Sequence, residues 1–233
     1  GAALMATSTP QDAFSLIGAG RRNILINGNH IINQRGLLPK TGITANGYEA
    51  TDRWKTYRNN VTADASVSSV TLPNGVITNA LKATATSTSS TGIIDWYQGV
   101  EDVNYNPTKG QWVTLSGWIR SNNPNAKLFL WGGSAAKQGY LSHSGNGQWE
   151  YLSFSCIVST SINNLEAYAA IGDNVNLSGV QITSGDYVEF ALMQLELGKV
   201  ATPFEYRSYG QELALCQRYY YRLTSSGAGF SFA

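Results

Sequence analysis

Short stretches in which apolar and polar residues alternate, each closed by a turn, recur along most of this chain and restrict it to a β architecture. From Trp112 to Arg120, Val113, Leu115 and Ile119 point one way and Trp112, Thr114, Ser116 and Trp118 the other. Leu152, Phe154, Cys156 and Val158 form the apolar half of a second set, and Leu165, Ala167, Ala169 and Ile171 that of a third. A period of two residues belongs to a strand with one covered face. Residues 76–85, 93–103 and 127–131 are further strand candidates. Pro73-Asn74-Gly75, Asn106-Pro107, Asn122-Asn123-Pro124, Gly145-Asn146-Gly147 and Ser184-Gly185-Asp186 supply the turns between them. Many short strands with hardly any helical periodicity predict an all-β fold, an antiparallel sandwich or jelly roll. The 233 residues suffice for one large β-domain. Residues 1–22 carry little pattern and read as a connector or arm, leaving 23–233 as the domain proper.

Tyr187 to Arg222 is the most distinctive run. Read with strict alternation, Tyr187, Ala191, Met193, Leu195 and Leu197 share one face of a strand, and Val188, Phe190 and Leu192 the other. Both faces are then largely apolar, so both need cover. The N-terminal arm, the C-terminal segment or another subunit would provide it. Gly198 ends the strand, and Thr202-Pro203-Phe204 holds the chain extended, because a residue before proline avoids the helical region. Gln211 to Leu223 has helical spacing, yet Arg218 to Tyr221 is strongly β-prone. A single helical turn running into a strand accommodates both signals.

Charged residues are 13% of the chain, against roughly 25% in an ordinary soluble domain, and the formal net charge is +1. Arg21-Arg22 is the only basic doublet. This argues against a nucleic-acid partner bound through its phosphates. No apolar stretch approaches the length that crosses a bilayer, so membrane insertion is not expected. Cys156 and Cys216 either pair or stay free as small buried hydrophobes.

His30 and His143 lie in unrelated patterns, and no Cys/His spacing fits zinc. Asn27, Asn29, Asp52 and Glu189 offer oxygens for a structural calcium, without the dense acidic loop that would call for one. No other cofactor is expected. Asp95, Glu101 and Asp102 lie beside Trp96 and Tyr97, and a polysaccharide-cleaving site would need two such carboxylates facing each other across a sugar. No serine sits in a Gly-x-Ser-x-Gly turn. Binding chemistry is better supplied. Sugars lie on flat aromatic rings and take hydrogen bonds from a few amides and carboxylates, and this chain has 6 Trp and 13 Tyr. Trp131 precedes a polar loop holding Lys137, Gln138, Tyr140 and His143, so Trp131, Tyr140 and His143, with Trp96 and Tyr97, are the expected glycan-binding residues. Trp112 and Trp118 share a face with Thr114 and Ser116, which leaves them partly exposed or covering a subunit contact. Tyr219, Tyr220 and Tyr221, with Phe190 and Leu192, are expected to pack against neighbouring chains.

Two sets of residues resemble one known family. Leu195-Glu196-Leu197-Gly198, Val200 to Arg207 and Glu212 to Tyr220 are similar to the C-terminal end of bacteriophage tail-fibre head domains. Asn23 to Asn29, Gln34-Arg35-Gly36 and Ala50 to Trp54 are similar to their opening. Together they frame residues 23–222. The resemblance implies a jelly roll like that of carbohydrate-binding modules, a homotrimer, a place on the virion among other virion proteins, and non-covalent, non-enzymatic attachment to a host surface glycan. A capsid decoration protein with the same jelly roll, or a polysaccharide-degrading enzyme, is the alternative.

Overall fold

The computed structural model describes residues 22–133, 137–172 and 178–222. Residues 1–21, where the connector or arm was expected, lie outside them. Two antiparallel sheets stack face to face. The first contains, in spatial order, β1 (Lys40–Ile43), β3 (Ala63–Thr71), β4 (Ile77–Ala85), β12 (Tyr187–Leu197), β6 (Trp112–Ser121) and β9 (Trp149–Ile157). The second contains β11 (Val180–Ile182), β5 (Ser89–Gly99), β10 (Glu166–Ile171), β7 (Ala126–Trp131) and β8 (Lys137–Ser142). β2 (Lys55–Asn59) shares the outer edge of β5 with β11.

The pairings give the topology. β7 pairs with β8, β6 with β9, β5 with β10 and β4 with β12, all antiparallel. The chain therefore runs out through four strands and returns beside itself through four. The lateral pairs β12–β6 and β10–β7 roll this nested ribbon into two sheets. That is the jelly roll predicted from the turn and strand pattern.

The alternating residues meet where expected. Val113, Leu115 and Ile119 of β6, Leu128 and Leu130 of β7, Ala167, Ala169 and Ile171 of β10, and Ile94 and Trp96 of β5 are buried between the sheets. β12 departs from strict alternation. Ala191 pairs with Trp118 but Gln194 with Ser116, so β12 takes one residue more than β6 over the same span. Leu192 occupies this bulge with φ at 52°, a left-handed conformation costly for a branched side chain. Past the bulge the faces exchange. Val188, Phe190, Met193 and Leu195 all enter the core, while Ala191 and Leu192 pack on the outside with Trp118, Trp149 and Phe204. The strand is thus not apolar on two regular faces. Its outer face carries Glu189, Gln194 and Glu196, all buried.

The C-terminal segment covers part of that outer face. Glu196 accepts hydrogen bonds from the Thr202 amide at 2.9 Å, the Thr202 hydroxyl at 2.7 Å and the Gln194 amide at 2.8 Å. The Glu205 N–H donates to Gln194 Oε1 at 2.8 Å. A helix, α2 (Tyr209–Gln217), follows α1 (Asp102–Tyr105) in chain order; Ser208 and Gln211 close a reciprocal capping box at its start. It is longer than the single turn expected, and no strand follows it among the described residues. Cys156 and Cys216 are both free.

The opening and closing segments, far apart in sequence, form one clasp. The Ile24 amide donates to Leu195 O at 2.8 Å, and the Met193 amide to Gly28 O at 3.0 Å. A Cβ at Gly28 would lie 2.2 Å from Met193 O, so only glycine fits this approach. Arg207 donates to the carbonyls of Asn23 and Leu25, and Glu212 accepts the Asn27 amide. Trp54 donates its indole N–H to Asn27 O at 2.9 Å, which docks the 50–54 segment on the same loop.

Candidate ligand-binding site

The expected glycan residues separate into exposed and buried sets. Register places Lys55, Tyr97, Tyr168, Phe129 and Tyr140 in one row across the outer face of the second sheet. Tyr97 and Tyr168 stack with ring centroids 5.0 Å apart and planes at 14°. Trp131 lies on the same face, 6.0 Å from Phe129 between centroids. Tyr97, Tyr140 and Trp131 are therefore brought together, each half-buried. Trp96 and His143 are not with them. Trp96 faces the core with no exposure, because Tyr97 beside it takes the outward position. His143 is buried in its turn, with Nε2 bonded to Gln148 O and Nδ1 accepting the Gly145 amide. The middle of this face is closed: Asp95, Lys127 and Phe129 are all buried. Burial, with Glu166 beyond it, raises the Tyr97 hydroxyl to about 12.

The outer face of the first sheet is open. A groove of about 450 Å³ runs beside the bulge of β12, within the roughly 300–1,000 Å³ usual for small-molecule sites. Leu192, Gln194 and Ser116 are among its lining, with Asn74 and Val76 from the β3–β4 connection and residues 201–204 and 206 from the C-terminal segment. Two aromatic pairs complete it. Trp118 and Tyr151 lie 5.4 Å apart between centroids at 56°, and Phe204 and Tyr206 5.0 Å apart at 75°. Tyr151 is 46% exposed and Tyr206 58%. Tyr151 and Tyr206 thus leave large aromatic faces exposed beside the partly buried Trp118 and Phe204.

Sequence reasoning did not find this groove. Its one signal was Trp118, noted with Trp112 on the hydroxyl-bearing face of β6. Phe204 and Tyr206 reach it only because Glu196 and Gln194 fasten their segment over β12, through side-chain bonds to residues six to eleven positions on that strand alternation does not encode.

The residues expected at subunit contacts are mostly engaged within the chain. Phe190 is buried in the core against His30 and Trp54, at 4.6 and 4.8 Å between centroids, because its place in register opposite Ile119 faces inward. Leu192 lines the groove. Tyr219 lies under the Arg53 guanidinium at 3.4 Å, and Tyr220 under that of Arg35 at 3.7 Å. Tyr221 is exposed.

The oxygen donors considered for calcium hold the fold together. Asn27 donates to Ile32 O and Asp52 O, Asp52 accepts from Gln34, and Glu189 pairs with Arg120. Asn29 is buried with its Oδ1 unpartnered. Among the described residues no group of three or more His, Cys, Asp or Glu is placed to hold a metal ion. The three carboxylates considered for catalysis occupy unlike settings. Asp95 is buried on the second sheet, where loss of solvent holds its carboxyl well above the usual range against a bond from the Tyr57 amide. Glu101 accepts from Arg218, Tyr219 and Asn104, and Asp102 is exposed in the first turn of α1.

No protein-family model matches this sequence, and no curated protein does. Solved structures of similar layout include the enzymatically active domain of tailspike protein 4 from bacteriophage CBA120, at 10% identity and a TM-score of 0.46. The match covers 76% of this chain and 21% of that one, so the chain spans about a fifth of the tailspike domain. A CBM4 structure matches over 74% of this chain and 98% of its own, at 10% identity and a TM-score of 0.40. The module TmCBM61, solved in complex with β-1,4-galactotriose, matches over 69% and 99%, at 11% identity and a TM-score of 0.37.

Proposed function

We propose that this chain is a non-catalytic glycan-binding head, carried on a phage tail fibre or a similar virion appendage, that attaches the particle to a host surface glycan. The groove on the first sheet carries the binding reading. Two aromatic pairs offer flat apolar faces to the C–H side of a sugar ring, and Asn74, Ser116 and the tyrosine hydroxyls lie among them for its hydroxyls. The virion reading rests on the sequence resemblance of the opening and closing segments, which the clasp joins into one unit. A single groove of this kind binds weakly, and a homotrimer would present three copies, so attachment gains from avidity.

The test is binding of the purified protein to whole host cells and to a glycan array. Trp118→Ala and Tyr206→Ala should each weaken binding about tenfold or more, since a lost stacking contact removes about 1 kcal/mol beyond its buried area. Unchanged binding in both variants would remove the groove from the proposal.

A further inference from the structure

The residues around the groove say which sugars it takes, an inference that rests on the glycan-binding reading. None of the lining side chains carries a formal charge. The nearby charges already have partners within the chain: Arg22 donates to Pro203 O at 3.1 Å, and the Glu205 carboxylate accepts from the Arg22 N–H and from Arg207. Glu196, beneath the C-terminal segment, accepts the Thr202 amide and hydroxyl and the Gln194 side chain. On the other side of Trp118, Arg120 is paired with Glu189 and lies 5.0 Å from the Trp149 ring.

Gln194, the amide on the groove floor, is committed too. Its Nε2 donates to Glu196 and lies within reach of Thr202 oxygens, and its Oε1 accepts the Glu205 N–H. It is 1% exposed. A ligand therefore meets aromatic faces and uncharged groups on Asn74, Ser116, Tyr151 and Tyr206, and among the described residues the cations nearby, Arg22 and Arg120, already hold acceptors of the chain itself.

A carboxylate, sulfate or phosphate entering such a groove gives up its water and meets no opposite charge among the lining side chains. A neutral sugar loses nothing comparable, because its C–H faces stack and its hydroxyls keep neutral partners. We infer that the groove selects uncharged saccharides and discriminates against uronate-, sialate- or phosphate-bearing ones.

The experiment titrates the purified chain with neutral gluco-, galacto- and manno-oligosaccharides and with oligoglucuronate and oligogalacturonate, by calorimetry at 50 mM and 500 mM NaCl. At least one neutral series should bind, with Kd changing less than twofold between the two salts, since no ion pair is there to be screened. The matching uronates should bind at least tenfold more weakly. Trp118→Ala and the more exposed Tyr206→Ala, each checked for an unchanged melting transition, should weaken the neutral binding about tenfold or more. Asn74→Lys, at the exposed rim, should improve uronate binding severalfold.

Uronates that bind as tightly as their neutral counterparts, and lose that binding in Trp118→Ala, would overturn the selectivity while leaving glycan binding in the groove intact. Neutral binding unchanged in both aromatic variants would place the sugar elsewhere on the chain. Binding of neither series would overturn the glycan reading itself.

Discussion

His30 shows how much a single buried side chain commits. Its φ of 56° is left-handed, its ring packs edge-on against Phe190, and Nδ1 shares a hydrogen with Thr51 at 3.0 Å. Burial lowers its pKa to about 3, only partly offset by the Phe190 backbone, which favours the charged ring. An unfolded histidine titrates near 6.5. Between these values the unfolded chain holds the extra proton, so folding stability from this residue is complete above pH 6.5 and falls as the pH drops. The loss by pH 4.5 should be about 2–3 kcal/mol, at about 1.4 kcal/mol per unit. Asp95, whose carboxyl burial pushes up, acts in the opposite direction by favouring the protonated fold. The contribution of His30 is therefore read as a difference. His30→Asn keeps the left-handed backbone, and denaturant titrations at pH 7 and 4.5 should find its stability falling less with acid than that of the wild type. Equal slopes would remove His30 as the source. In the sequence this histidine was visible only as a metal ligand without partners; its burial depends on Phe190 of β12 and on Trp54 in the segment before β2.

At the scale of elements, strands were legible and their exceptions were not. β6 and β10 alternate in the sequence as they do in the sheet, because neither carries an inserted residue, so Val113, Leu115 and Ile119, and Ala167, Ala169 and Ile171, all enter the core. β12 was misread from a single extra residue. Alternation carried past Leu192 puts Met193 and Leu195 opposite Phe190, whereas the bulge returns all three to the core. The supposed second apolar face, and with it the need for another subunit to cover it, came from that one step. Helix α2 has a local signal beyond the spacing from Gln211 onward, the capping box of Ser208 and Gln211, which sets its start at Tyr209. The segment fastened by Glu196 forms a wall of the groove, so loosening it should disturb binding from a distance. Glu196→Ala removes acceptors for the Thr202 amide and hydroxyl. Hydrogen exchange at Thr202 should speed up by about ten- to a hundredfold, from the loss of hydrogen bonds to a charged group worth about 1.5–3 kcal/mol. Sugar affinity should fall with it, while the amides of β6 and β10 keep their protection. Unchanged exchange at Thr202 would mean that Pro203 and the clasp hold the segment without Glu196.

On the scale of the whole molecule, the proposed homotrimer needs contacts other than Phe190, which is buried. An exposed apolar cluster is available at one end of the first sheet, where Trp112 and Ile157 face each other in register and Lys199 and Val200 lie beside them. Ile157 is 53% exposed and Val200 73%. Light scattering should find a trimer at micromolar concentration and a shift towards monomer in Ile157→Asp. A stable wild-type monomer would remove the assembly, and with it the avidity, without touching the groove. The nested ribbon has a further consequence, in time. β7 and β8 meet across a short connection, but β4 must wait for β12, about a hundred residues later in the chain, and the groove lies against that last strand. Ordering so long a loop before its contacts reward it makes folding slow, in the millisecond-to-second range or beyond. Sugar-binding competence should therefore appear at the end of refolding, together with the burial of Phe190. A newly made chain would hold most of its sheet before it could hold any ligand.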